Sequence, residues 1–454
     1  MAGDDTSPPI ESRADLIWSM ERGSKPRSEW RVGTEHEKHL YRKNPLGTVP
    51  YEGEDGVHAL LKGIEGRTGW HPFFDRDNPI GLRNLGDIGG ISLEPGGQFE
   101  LSGAPQETIH GTAAELKAHL QDCRAIGEEL NIHFLSLGVT PIWAVKDIPA
   151  MPKSRYGIMT PYMDKVGTLG TSMMYRSATV QANLDFSDEA DMRKKLRVSL
   201  ALQPIVTALF ANSPFVDGKP SGYLTFRSHI WLNTDNARTG MLPFVFDEGF
   251  GFEQYADHAL DVPMYFVIRN KRYINVAGES FRAFLEGRLP QLPGEKPTRK
   301  DWEDHLSTLF PEVRLKQFLE MRGADMGDEA HINALPALWV GLLYDDAALE
   351  GAWQLVKDWT NAERQQLREA VPRTALATPF RSGTVLDIAT EAVALAKAGL
   401  ARRAEVDNGK DETTFLAPLE ETIALKKTPA ERWLDRYHGD WQGDLTRVFE
   451  EAEL

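Results

Sequence analysis

Ile91-Ser-Leu-Glu-Pro-Gly-Gly-Gln-Phe-Glu-Leu101 reads as two short strands joined by a tight turn. Gly89-Gly90 precedes the first apolar run and Pro95-Gly96-Gly97 separates it from the second, which is a hairpin signature. With Pro95-Gly96-Gly97 as the loop, Glu94 pairs with Gln98, and Glu94, Gln98 and Glu100 share one face. A two-residue Gly-Gly loop would split them, because a one-residue slip turns every side chain over. The three-residue loop is the favoured register.

A second acidic stretch lies upstream, in Arg31-Val-Gly-Thr-Glu-His-Glu37. Glu35 and Glu37 are two apart, so on a strand they point the same way. Glu320 follows the apolar run Leu315-Lys-Gln-Phe-Leu319 and precedes Met321-Arg322-Gly323. Carboxylates gathered on one sheet face repel each other unless a cation sits among them. An all-oxygen site of this kind suits magnesium, which usually serves phosphate chemistry. Taken singly, Glu35 and Glu37 also fit a solvated strand face, and Glu320 beside Arg322 also fits a plain ion pair. His36 and His39 are three apart rather than four, which is the wrong spacing for a zinc-binding helix.

Further along, residues 108–130 are expected to be helical, since Leu116, Leu120, Cys123, Ile126 and Leu130 recur at intervals of three and four. Phe134-Leu-Ser-Leu-Gly-Val139 reads as a short buried strand. In Thr179-Val-Gln-Ala-Asn-Leu-Asp-Phe186, polar and apolar residues alternate strictly, and Thr179, Gln181, Asn183 and Asp185 take one face. Residues 198–210 read as helix and residues 223–234 as loop and strand around Arg227 and Trp231. Met264-Tyr-Phe-Val-Ile-Arg269 and Tyr273-Ile-Asn-Val276 read as paired strands. Residues 288–300 read as an exposed connector. Helices are expected at 334–346, 349–370, 385–404 and 429–451. Strands in the first three-fifths followed by helices predict an α+β protein with an antiparallel sheet. The organisation expected is a single catalytic domain over 1–454: a lead-in at 1–30 with one short helix, a strand-rich core at about 31–325, and a helical part at about 326–454 packed on it.

The 454 residues are 41% hydrophobic, enough to bury a large core. The formal charge of -16 repels nucleic acid and anionic membranes, so neither is an expected partner. No apolar run reaches the length of a membrane span. The opening Met-Ala-Gly-Asp-Asp-Thr-Ser-Pro-Pro is not a secretory signal. Cys123 is the one cysteine, which excludes an internal disulfide and a cysteine-based zinc site, and favours a cytoplasmic setting. No Gly-x-x-x-x-Gly-Lys-[Ser/Thr] loop, dinucleotide fingerprint or Gly-x-Ser-x-Gly elbow is present. Phosphate chemistry here would run through metals and arginines.

Five segments taken in order carry a resemblance. Gly33-Thr-Glu-His-Glu37, Ser92-Leu-Glu-Pro-Gly-Gly-Gln-Phe-Glu100, Thr179-Val-Gln-Ala-Asn-Leu-Asp185, Arg227-Ser-His-Ile-Trp231 and Glu320-Met-Arg-Gly-Ala-Asp325 resemble the glutamate–cysteine ligases of the plant and proteobacterial type, which share a superfamily with glutamine synthetase. The likeness runs from about residue 30 to the C-terminus. It implies a curved antiparallel sheet, flanked by helices, whose concave face carries metal-binding glutamates, ATP and substrate. It also implies the reaction: ATP, L-glutamate and L-cysteine give γ-glutamylcysteine, ADP and phosphate through a γ-glutamyl phosphate, the first step of glutathione synthesis.

By the same resemblance, Glu35, Glu37, Glu94, Glu100 and Glu320 hold magnesium, with Gln181 a ligand or neighbour. Arg227 grips glutamate, Trp231 walls that pocket, and Arg322 stabilises the transferring phosphoryl group. Tyr265 and Arg269 border the substrate site, and Met173, Met174 and Tyr175 line the cysteine pocket. Plant members carry regulatory disulfides and a plastid extension; with Cys123 alone and no Arg- and Ser-rich leader, a cytoplasmic, monomeric or weakly dimeric bacterial member is expected. The rival readings are a related carboxylate–amine ligase with a different acceptor and a non-catalytic metal- or nucleotide-binding homologue.

Overall fold

The computed structural model describes residues 7–86 and 88–454. The first six residues of the acidic lead-in lie outside the described residues. A ten-stranded antiparallel sheet forms the frame. In chain order its strands are β1 (Val32–Lys43), β2 (Leu46–Gly47), β3 (His71–Asp75), β4 (Asn78–Arg83), β5 (Gly90–Leu93), β6 (Phe99–Ser102), β7 (His133–Leu135), β8 (Thr179–Leu184), β9 (Val313–Leu315) and β10 (Leu319–Asp325). They lie side by side as β9-β10-β8-β1-β6-β5-β4-β3, with β2 and β7 paired to the far half of β1.

Alternation decides which side of this sheet is core. Val180, Ala182 and Leu184 are fully buried on the back of β8, where helix Glu329–Leu343 packs against β8 and β1. Helix Ile109–Leu130 packs on the same helix and on β1. Helix Glu329–Leu343 is apolar all round and buried from His331 to Leu343, as expected of a helix enclosed by other elements. Trp339→Ala in this helix is expected to cost about 3–5 kcal/mol through lost contacts and the cavity left behind. Urea unfolding measures that loss, and a change below about 1 kcal/mol would show that the helix is not a keystone of the core.

The expected elements are mostly where the sequence placed them, with informative exceptions. The hairpin adopts the three-residue loop: Leu93 faces Phe99, and Glu94 N–H donates to Gln98 O at 2.9 Å. Residues 226–232 are a helix, Phe226–Leu232, capped by the Thr225 hydroxyl, and not loop and strand. Thr360 and Glu363 form a capping box that splits 349–370 into Asp346–Val356 and Asn361–Thr374. The stretch 429–451 is likewise two helices, Pro429–His438 and Val448–Glu451. One continuous apolar cluster runs from Ile10 to Leu454, joining the sheet to the C-terminal helices.

Candidate active site

The polar face of the sheet is where the acidic segments meet. On β1, Glu35 is paired with Ser102 of β6 and with Gln181 of β8, while Glu37 stands directly opposite Glu100. Ser92 faces Glu100 from β5, and Glu94 continues that strand into the Pro-Gly-Gly turn. Glu35, Glu37, Glu94 and Glu100 therefore line one cavity of about 340 Å³, a volume typical of small-molecule sites.

Like charges directly across a ladder destabilise it. Here burial adds to the effect. Burial, then Glu100 and Glu94, push the Glu37 carboxyl well above its ordinary value. Burial, then Glu94 and Glu35, raise that of Glu100 to about 7. Polar contacts hold the carboxylates in place without neutralising them. Thr179 N–H donates to Glu37 Oε2 (3.0 Å), Asn183 Nδ2 to Glu35 Oε1 (2.8 Å), and Ser102 Oγ to Glu100 Oε1 (2.6 Å). Four carboxylates that face one cavity offer the oxygen donors a hard divalent cation prefers, although no three of their ligand atoms lie within 4.8 Å of one another as they stand.

The opposite wall is cationic. Between Met321 and Ala324, β10 carries one extra residue relative to β8. Bulges of this kind re-aim side chains beside functional sites. Arg322 Nη1 donates to Gln181 Oε1 (2.8 Å) and Glu320 Oε2 (2.6 Å), and Arg322 lines the cavity. Arg227 sits in the first turn of helix Phe226–Leu232 and is 3% exposed. Its Nη2 donates to Arg322 O (2.9 Å), but its Nε has no hydrogen-bond partner among the described residues. The Trp231 Nε1, one helical turn on, also lacks one. Two buried donors without acceptors on one cavity wall suit a ligand oxygen. Asp325 supports them from beneath, accepting from Asn212 N–H, Ser213 Oγ and Thr225 Oγ1.

Some expected site residues fall elsewhere. Glu320 is fully buried and is not an open ligand here: its two oxygens accept from Arg314, Lys316 and Arg322. Burial opposes ionisation, but those three cations overcome it and hold Glu320 well below the usual carboxylate range. Glu320→Gln is expected to destabilise the protein by about 3–5 kcal/mol, because the buried Arg314 and the partly buried Lys316 and Arg322 lose their shared counter-charge; unchanged urea unfolding would contradict that structural role. Gln181 uses its oxygen on Arg322, so it is a neighbour of the acids. Tyr265 lies behind the cavity, under Arg238 (3.9 Å to its ring) with its hydroxyl on Met163 Sδ. Arg269 is spent on Asp301 and Glu295, tying its hairpin to helix Arg299–Leu306. Met173 and Met174 line the cavity, but Tyr175 turns away and shares a hydrogen bond with Thr160 Oγ1. His36 and Lys38 point to the back of β1 and interact there at 2.7 Å, away from the acids.

The cavity also holds residues that sequence reasoning missed: Arg155, Arg314, Lys316, Met159 and Phe266. Arg155 Nη2 is 3.7 Å from Glu94. It stands just ahead of helix Tyr156–Val166, where no periodicity signals function.

The family model described as glutamate–cysteine ligase family 2 matches residues 31–451. The chain belongs to glutamate–cysteine ligase family 2. A chloroplastic glutamate–cysteine ligase B from Oryza sativa subsp. japonica is 54% identical across 98% of this chain and 90% of its own length. The chloroplastic glutamate–cysteine ligase of Arabidopsis thaliana is also 54% identical, over 98% of this chain and 85% of that protein. Among solved structures, a Francisella tularensis glutamate–cysteine ligase in complex with AMP matches with a TM-score of 0.53 at 13% identity, covering 93% of this chain and 88% of that one. At that identity the likeness speaks for the ligase fold alone. The relatives also correct one expectation: they are named chloroplastic, which points to a plastid and not to the cytoplasm.

Proposed function

We propose that this family 2 ligase joins the γ-carboxyl of L-glutamate to the amino group of L-cysteine, coupled to cleavage of ATP to ADP and phosphate. The observation that carries the reading is the division of one cavity into a carboxylate wall and a guanidinium wall. A γ-carboxylate is a poor acyl donor because its oxygen leaves badly; phosphorylation turns that oxygen into a good leaving group. Bringing a carboxylate up to a polyphosphate requires several charges to be neutralised at once.

Magnesium fits the four acids Glu35, Glu37, Glu94 and Glu100, and when bound it would neutralise phosphate oxygens. Arg227 Nε and Trp231 Nε1 offer unused donors to a carboxylate of glutamate. Arg322 is aimed by Glu320 and Gln181, and its pairing with Glu320 outweighs burial to keep it firmly charged. That suits it to charge developing on the transferred phosphoryl group. Met159, Met173, Met174 and Phe266 make a soft wall on which a thiol packs well.

The test is ADP release from ATP, magnesium and glutamate, run with cysteine and then with glycine, alanine and serine as acceptors. Turnover that needs cysteine supports the reading. A strong preference for another amine would favour the related ligase with a different acceptor, and release with none of them would favour a non-catalytic homologue.

A further inference from the structure

The Gln98 side chain takes no part in the chemistry above, yet it is fully tied into the cavity wall. It is 2% exposed. Its Oε1 accepts from Gly96 N–H at 2.9 Å, and its Nε2 donates to Met174 O (3.2 Å) and Ser177 O (2.8 Å). Both amide protons and the carbonyl are therefore used. Met174 and Ser177 lie at the end of helix Gly170–Arg176, where carbonyls lack partners inside the helix. Gly96 is the middle of the turn between Glu94 and Glu100. One carboxamide thus joins the acid-bearing hairpin to the helix that carries Met173 and Met174.

The contact leaves no slack. A Cβ on Gly96 would lie 2.1 Å from Tyr175 O, so only glycine lets the turn sit directly on the helix. Ser177 Oγ then donates back to Met173 O at 2.6 Å, tightening the same turn of chain. Charge explains why an amide stands here. A glutamate would set a carboxylate oxygen against two carbonyls, with no proton to share.

We infer that Gln98 is a positioning residue for the acceptor subsite, fixing Met173 and Met174 relative to the acids and so helping to select cysteine, an inference that rests on those methionines walling the cysteine pocket. The experiment is steady-state kinetics on wild type, Gln98→Glu, Gln98→Met and Gly96→Ala. The acceptors are cysteine and 2-aminobutyrate, in which a methyl replaces the thiol. In each variant the KM for cysteine is expected to rise about tenfold or more while those for ATP and glutamate stay within about twofold. The preference for cysteine over 2-aminobutyrate should fall at least about fivefold, since one such group is worth only a modest discrimination. Gln98→Met keeps the volume of the side chain and guards against simple misfolding. An active wild type whose variants keep cysteine KM and preference overturns the inference alone. A parallel rise in all three KM values overturns it too, because that is a general structural defect. A wild type without cysteine-dependent turnover overturns the underlying functional reading first, and the inference with it.

Discussion

Glu100→Gln is expected to abolish turnover and, at the same time, to make the metal-free protein more stable. Glu100 stands across the ladder from Glu37, and burial with Glu94 and Glu35 raises its carboxyl to about 7, against an ordinary 4.5. The native state therefore holds the proton more tightly than the unfolded chain does. Ionisation costs native stability as pH rises from about 4.5 to about 7, and the cost is full above that window. Glutamine keeps the shape and removes the charge. In chelator at pH 8, urea unfolding should show a gain of about 1–3 kcal/mol for the variant, shrinking towards zero near pH 4.5. Activity should drop about a thousandfold or more, as expected when a group that helps neutralise transition-state charge is lost. Near-normal turnover would remove Glu100 from the proposed cation site, and a destabilised metal-free variant would contradict the repulsion described between these acids.

Arg227→Ala is expected to raise the KM for glutamate about a hundredfold while leaving that for ATP nearly unchanged, a loss of about 3 kcal/mol of binding. The reason is the Nε, which has no partner among the described residues, on a side chain that is 3% exposed. A buried guanidinium edge is a costly thing to leave without an acceptor, so it is well suited to a carboxylate that comes and goes. Arg227→Lys should rescue little, because an ammonium lacks the planar fork. Since Arg227 also donates to Arg322 O, each variant needs an unfolding curve beside its kinetics. A folded Arg227→Ala with an unchanged glutamate KM would release Arg227 from this role.

Much of this site is legible in the amino-acid sequence. A strand's period of two puts Glu35 with Glu37, and Gln181 with Asn183, whatever surrounds them. The Pro-Gly-Gly loop then decides whether Glu94 and Glu100 agree, and the observed register is the one in which they do. The failures have equally physical causes. Helix Phe226–Leu232 spans two turns, too short for a period to declare itself, and only Thr225 as a cap hints at it. Tyr265 and Arg269 lie on or beside the expected hairpin, but their neighbours Arg238 and Asp301 come from distant segments that no local pattern reveals. Glu320 carries the same ambiguity as any acid beside an arginine. Three cations from the β9–β10 hairpin resolve it towards an anchor for Arg322. Arg155 and Lys316 reach the cavity from segments that show no readable pattern.

One oxygen atom can be followed through the whole reaction. Glutamate labelled with oxygen-18 in its γ-carboxyl is incubated with ATP, magnesium, cysteine and the enzyme. If the γ-carboxylate attacks the terminal phosphate and cysteine then displaces it, one labelled oxygen must leave in the inorganic phosphate, in step with formation of γ-glutamylcysteine. Product formed with unlabelled phosphate would contradict activation through an acyl phosphate in this cavity.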